Sequence, residues 1–277
     1  VVVPPVGELK FDTPPGDVHI KYGYIKSDNV YVIKIASGFT GNSDHGLPNG
    51  NGMMLVFSQK TGQPLAVLKD EGFLTDVRTA VAGAICAKYL APKIIRKIGI
   101  VGTGVQGKLQ LKYLDGIMDC KSAIVWGRSE SSLLKYQSDM KNSGFEITTT
   151  TEIGKIIDEC QLIVTCTPSE SALILRVNPG THITAMGSDT LTKRELDSSI
   201  LFEADLVVAD SKSQCEERGE IYQAMKDGFI MENVVELGEI INGVIKGRTN
   251  DDQITMTDLT GVAVQDIQIS KAVLEYL

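Results

Sequence analysis

The 277-residue chain has only three histidines, one tryptophan and five cysteines. His19, His45 and His182 are too few and too scattered for a convincing metal cluster, and no metal is expected. The cysteines stand at 86, 120, 160, 166 and 215; their number is odd and no C-x-x-C occurs. Neither a disulfide framework nor a zinc site is suggested, and they read as small buried hydrophobes in a reducing cytoplasm. No uncharged apolar run approaches the ~18 residues of a membrane helix, so no membrane partner is expected. Lys and Arg total 27 against 35 Asp and Glu, a net charge of −8, with no basic stripe. That balance argues against nucleic-acid binding, which depends on clustered Lys and Arg. It leaves small acidic substrates open, because a local basic pocket can exist on an acidic protein. The opening VVVPPVGELKF lacks a Met, a basic n-region and a small-residue cleavage site, so it is not a secretory signal. It reads like an interior strand, and a missing N-terminal segment is expected.

Apolar residues make up 43% and charged residues 22%, the balance of an ordinary globular protein. A chain of this length can bury about 75% of its unfolded surface without disulfide or metal staples. Its first part alternates β-rich runs with turn signals. VHIKYGYI (18–25) and VYVIKIASG (30–38) flank Lys26-Ser27-Asp28-Asn29, and MMLVFS (53–58) and PLAVLKD (64–70) flank a second turn. Both read as hairpins of an antiparallel sheet. The Gly/Asn-rich stretch 38–52 reads as a long loop, a length often reserved for function. LTDVRTAVAGAICAKYLAP (74–92) reads as a helix with Thr75 as N-cap and Pro92 closing it.

The pattern then changes. Strands at 97–102, 122–127, 145–150, 162–167, 181–187 and 204–210 alternate with helical stretches at 105–116, 130–142, 152–159 and 192–198. Continuous apolar strands between amphipathic helices mean a parallel sheet covered on both faces, an α/β doubly wound domain. Residues 255–277 read as a closing helix that returns to the first domain. The expected division is 1–93 with 255–277, and 94–254.

The strand KIGIV feeds Gly102-Thr103-Gly104-Val105-Gln106-Gly107, a G-x-G-x-x-G that opens a helix. In that context the motif points to a dinucleotide, with Gly102 for the turn, Gly104 for approach of the pyrophosphate and Gly107 for helix–strand packing. The plainer reading is a packing turn. The next strand ends Trp126-Gly127-Arg128-Ser129 where an NAD enzyme would carry an acid. A guanidinium suits a 2′-phosphate, so NADP is preferred over NAD; Arg128 stacked on adenine with NAD as cofactor is the other reading.

These segments, together with NGNGMMLVFSQKTGQPLAVL, LIVTCTPS, PGTHITAMGSD, DSKSQCEERGE and DLTGVAVQDI, resemble the ornithine cyclodeaminase/mu-crystallin family over nearly the whole chain. The resemblance implies a Rossmann-type domain, a smaller discontinuous α+β substrate and dimerisation domain, and a homodimer. It implies hydride transfer between nicotinamide and the α-carbon of a small amino or imino acid. Lys34 and Arg78 match the family positions that bind the substrate carboxylate. Asp189 matches the family's acid/base beside the substrate nitrogen; as a plainer reading it caps the helix 192–198. Lys34 is counted with Asp189 as catalytic, and Asp210 is the less favoured acid. Thr165, Thr167 and Gly187 are expected at the nicotinamide-side wall with Ser129 beside Arg128, and Asp258 and Gly261 come less strongly into question.

Two departures bear on the reaction. The first-strand Arg of cyclodeaminases has no counterpart around Pro4-Pro5-Val6-Gly7. The position of their substrate-handling glutamate falls on Lys21, which could extend the carboxylate site or simply sit on an exposed strand face. Imine or ketimine reduction, or amino-acid dehydrogenation, therefore ranks above redox-neutral ornithine cyclodeamination. A non-catalytic mu-crystallin-like binding protein is the third reading.

Overall fold

The computed structural model describes residues 1–276. Two compact units divide the chain: residues 1–79 with 262–277, and residues 80–261.

In the first unit β1 (Gly7–Asp12), β2 (Pro15–Tyr24), β3 (Val30–Gly38), β4 (Gly50–Ser58) and β5 (Pro64–Leu68) form an antiparallel meander in chain order. Alternation gives the sheet two faces. Val30, Val32, Met54, Val56 and Leu68 bury one face against Ile267 of the closing helix. The opposite face stays apolar: Tyr22 pairs across from Ile33, Tyr24 from Tyr31, Tyr31 from Phe57 and Leu55 from Val67. Tyr22, Tyr24, Leu65 and Val67 are exposed there. The expected long loop is shortened, because β3 and β4 pair out to Gly38↔Gly50 and a 3-10 turn occupies Thr40–His45. The first helix, α1 (Phe73–Leu90), starts earlier than predicted. Asp70 rather than Thr75 caps it, accepting from the Leu74 N–H at 2.6 Å.

The second unit carries β6 (Ile98–Val101), β7 (Ser122–Trp126), β8 (Glu146–Thr150), β9 (Leu162–Thr165), β10 (His182–Ala185), β11 (Leu206–Ala209), β12 (Val234–Glu236) and β13 (Thr255–Asp258). They form a parallel sheet in the order β12-β11-β13-β10-β9-β6-β7-β8. The helices are α2 (Val105–Leu114), α3 (Glu130–Asp139), α4 (Ile153–Glu159), α5 (Ser199–Glu203), α6 (Lys212–Cys215), α7 (Gly219–Lys226) and α8 (Leu237–Ile241). Successive strand residues feed different cores. Ile124, Ile163 and Val207 enter one cluster, while Val125, Val164 and Val208 enter the other. This is the two-sided burial that continuous Val/Ile runs predict.

Three expectations are corrected. Residues 192–198 are not a helix; the helix there is α5, starting at Ser199. Residues 255–277 are not one helix: TMTD is the central strand β13, and only α9 (Ala263–Leu274) is helical. The division consequently falls at 261/262 rather than 254/255, because β13 hydrogen-bonds between β10 and β11. The earlier division falls inside α1 at 79/80 rather than at 93/94. Among the described residues, no helix is long and apolar enough to cross a membrane.

Candidate active site

Strands β6, β7 and β8 run outward in one direction, and β9 then returns to the other side of β6. The β6/β9 boundary is thus the topological switch point, outside which open α/β sheets bind ligands at strand carboxyl ends. A cavity lies there, lined by Gly102, Thr103, Gly104, Trp126, Gly127, Arg128, Cys166, Thr167, Pro168, Ser169 and Leu173. Gly102 has φ +127°, a conformation closed to other residues at little cost. A Cβ on Gly107 would collide with the Gly102 carbonyl, so only glycine lets α2 approach β6 this closely. A Cβ on Gly104 would meet no protein atom within 4 Å, which leaves the α2 N-terminus open for a phosphate. The buried Tyr136 hydroxyl of α3 donates to the Gly107 carbonyl at 2.9 Å and fixes the loop from behind. Val105 and Gln106 begin α2 behind the glycines.

Arg128 is exposed at the cavity rim, and Gly127-Arg128-Ser129 rather than an acid stands directly after β7. Ser129 serves the helix instead: its hydroxyl accepts from the Ser132 N–H at the start of α3. Thr165 is fully buried at the end of β9 and does not line the cavity; Thr167 does. The period of a strand explains this, since its last residue still points into the core. Asp258 is likewise not a wall residue, being buried with Oδ2 accepting from the Ile221 N–H at 2.8 Å. Asp210 accepts from Thr260 Oγ1 and from the Gly261 N–H, at 2.9 and 2.7 Å, and so braces the turn after β13.

Asp189 follows β10 by four residues and is half-buried; Lys193 Nζ reaches its Oδ1 at 2.7 Å. With no helix at 192–198, the capping role there is removed, and Asp189 lies beyond the carboxyl end of β10.

In the first unit Lys34 and Arg78 converge on one carboxylate. Asp266 Oδ1 lies 3.2 Å from Lys34 Nζ and 3.0 Å from Arg78 Nε. Lys34 is 2% exposed, Arg78 8% and Asp266 0%, so neither lysine nor arginine is a surface charge. Arg78 Nη1 also donates to Gln265 Oε1 at 2.8 Å. Lys21 is buried too, directly across from Lys34 in the β2–β3 register, so it is not an exposed strand residue. Burial, then the nearby Arg78 charge, pull the Lys34 pKa down to about 7, against the opposing pull of Asp266. Sequence reading missed Asp266 and Gln265. The signal was present: Ala263, Asp266, Ile267 and Ser270 form the buried stripe of α9. An acid at a core-facing helix position demands a buried cation.

The fold and cavity define a dinucleotide-binding α/β protein of the Rossmann type. The ornithine cyclodeaminase/mu-crystallin family profile matches residues 4–277, and the chain belongs to that family. It is 39% identical over 276 residues to an uncharacterized cyclodeaminase of Sinorhizobium fredii, covering 98% of this chain and 83% of that one. It is 37% identical over 247 residues to the alanine dehydrogenase of Archaeoglobus fulgidus, covering 88% and 76%. The solved Δ1-pyrroline-2-carboxylate reductase of Thermococcus litoralis, in complex with NADH and L-proline, superposes with a TM-score of 0.92 at 29% identity, covering 99% of this chain and 86% of that one.

Proposed function

We propose that the protein is an NAD(P)-dependent oxidoreductase acting at the α-carbon of a small amino or cyclic imino acid, as an imine reductase or amino-acid dehydrogenase. The observation that carries the reading is the buried group Lys34–Asp266–Arg78, two cations on one carboxylate. A substrate carboxylate completes its charge balance, and Arg78 offers the planar fork that such a group prefers. Lys21 adds positive charge where a cyclodeaminase would place an acid, which favours a substrate without a second amine. Named relatives that are a dehydrogenase and an imino-acid reductase support the same chemistry. The uncharacterized cyclodeaminase relative keeps ornithine cyclisation as the reading to exclude.

Gly102, Gly104 and the α2 N-terminus would hold the pyrophosphate, and Thr167 with its neighbours would hold the nicotinamide end. A reduced nicotinamide bound there supplies hydride. Lys34 and Arg78 would bind the substrate carboxylate; as a Cα–H bond forms, the imine nitrogen would take its proton from Asp189, a new N–H replacing the carboxyl O–H. The deciding assay mixes the protein with NADPH or NADH and Δ1-pyrroline-2-carboxylate, Δ1-piperideine-2-carboxylate, or pyruvate with ammonia. Loss of reduced-nicotinamide absorbance is expected. Its absence, with ammonia and proline released from ornithine under catalytic NAD, would select the cyclodeaminase.

NADP is the preferred cofactor, on the strength of Arg128 at the rim, with no acid at positions 127–129 directly after β7. Arg128→Ala should raise the KM for NADPH about tenfold, the worth of a charged hydrogen bond of ~1.5 kcal/mol, and leave that for NADH nearly unchanged. Comparing the two KM ratios checks this.

Lys34 predicts a pH signature. A carboxylate ligand favours the charged ammonium and so raises the Lys34 pKa above its free value of about 7. Binding therefore takes up a proton above neutrality, and affinity falls as pH rises, by up to about tenfold per unit. Calorimetry at pH ~8 in two buffers of different ionisation enthalpy should show the uptake, and Lys34→Met should abolish it.

A homodimer is proposed through the open face of the first sheet, since an apolar face of this extent on one side of a sheet calls for a cover. Ile33→Lys, at its centre, should yield monomers by sedimentation. The cysteines, free among the described residues, fit a reducing compartment, and the cytoplasm is the proposed location.

A further inference from the structure

Glu195 lies on no helix or strand, is fully buried, and has no place in the chemistry above. Its carboxylate holds two strand ends at once. Oε1 accepts from the Thr167 N–H at 2.6 Å and from the Thr167 hydroxyl at 2.7 Å. Oε2 accepts from the Gly187 N–H at 2.9 Å. A Cβ on Gly187 would collide with the Thr167 carbonyl and with this carboxylate, so the glycine is what lets the three groups meet.

The same short segment stitches the rest of the cavity wall. The Arg194 N–H donates to the Ser169 carbonyl at 2.8 Å, and the Glu195 carbonyl accepts from the Leu173 N–H at 2.7 Å. Thr167, Ser169 and Leu173 all line the switch-point cavity. Glu195 is itself held. The buried Glu220 carboxylate in the first turn of α7 accepts from the Glu195 and Leu196 N–H groups at 2.6 and 3.2 Å.

We infer that Glu195 is a positioning residue, whose buried carboxylate sets the 167–173 wall of the nicotinamide end of the cavity and, through Gly187, the backbone two residues before Asp189. This rests on the proposed function for the identity of that end of the cavity. The geometry explains why a carboxylate is needed: two backbone donors and a hydroxyl converge on it, and each of its oxygens accepts. Glutamine has one acceptor oxygen, so its NH₂ would face a backbone N–H in a fully buried site.

The test compares wild type, Glu195→Gln, Glu195→Asp and Thr167→Val. Binding of the reduced dinucleotide preferred by the wild type is read by energy transfer from Trp126, which lines the cavity. Binding of ADP-ribose or its 2′-phosphate, which lacks nicotinamide, is read by calorimetry. For Glu195→Gln the reduced dinucleotide should bind about tenfold more weakly, as one unsatisfied buried donor implies, with ADP-ribose within about twofold of wild type. kcat for the imino acid should fall about 100-fold with substrate KM little changed, and Glu195→Asp should recover part of the loss. Thr167→Val, which keeps the side-chain volume and removes one donor, should show the same selective loss more weakly, and serves if Glu195→Gln does not fold. Equal weakening of both ligands, or no change in either, overturns the inference. A wild type that binds reduced dinucleotide yet turns over no amino or imino acid overturns the proposed function instead, while the comparison of the two ligands still decides the role of Glu195.

Discussion

Replacing Arg78 with Met should lower kcat/KM for an α-imino acid about 1000-fold, because removing a buried charged ligand of the substrate carboxylate costs about 2–5 kcal/mol. The guanidinium is 8% exposed and held by Asp266 and Gln265, so its orientation is set before substrate arrives. Part of the loss should appear in KM, as a missing ligand for the carboxylate. The rest should appear in kcat, as Cα no longer sits at hydride-transfer distance. Arg78→Lys should recover little, since an ammonium cannot offer two parallel N–H bonds. Asp266 would lose one of its two cations and keep Lys34, so a lower melting temperature should accompany the kinetic change. Steady-state kinetics with thermal melts separates the two effects. A variant within about threefold of wild type would mean that the carboxylate is held elsewhere.

Asp189→Asn should lower kcat by about 100- to 10,000-fold, the range that a positioned general acid contributes. The amide keeps the shape but has no proton to give at the imine nitrogen. Affinity for the reduced cofactor should be unchanged, because Asp189 is not among the residues lining the cofactor cavity. The side chain is 41% exposed, so between turnovers the carboxylate can take a proton from water. Single-turnover absorbance decay measures the chemical step without product release. If Asn supports the same rate, the proton comes from another group, and Lys34, with its pKa near neutrality, is next in line.

Much of this site could be read from the chain because its chemistry is local. Gly102, Gly104 and Gly107 lie within six residues of each other after an apolar strand, and spacing alone specifies their roles. The doubly wound sheet followed from the Val/Ile runs for the same reason. Lys34, Arg78 and Asp189 are far apart in sequence and came from family resemblance rather than from any pattern. What stayed hidden was set by long-range contact. Asp266 meets Lys34 across 232 positions, and Glu195 meets Thr167 across 28. Residues 255–258 carry the Thr and Asp that suit a helix cap, but the sheet overrides that local signal by offering a strand neighbour on each side, β10 and β11. Thr165, expected in the wall with Thr167, is still inside β9 and buried in the sheet, whereas Thr167 lies beyond the strand end.

The central claim is hydride delivery to the α-carbon, and isotope transfer tests it without reference to any variant. The protein would be incubated with reduced cofactor carrying deuterium at the nicotinamide C4, together with Δ1-pyrroline-2-carboxylate, and the amino-acid product examined by mass spectrometry and proton NMR. Deuterium at Cα in stoichiometric amount, with matching oxidation of the cofactor, is the predicted result. Product without label at Cα, or no product from any imino acid while ornithine yields proline with no net cofactor oxidation, would contradict it.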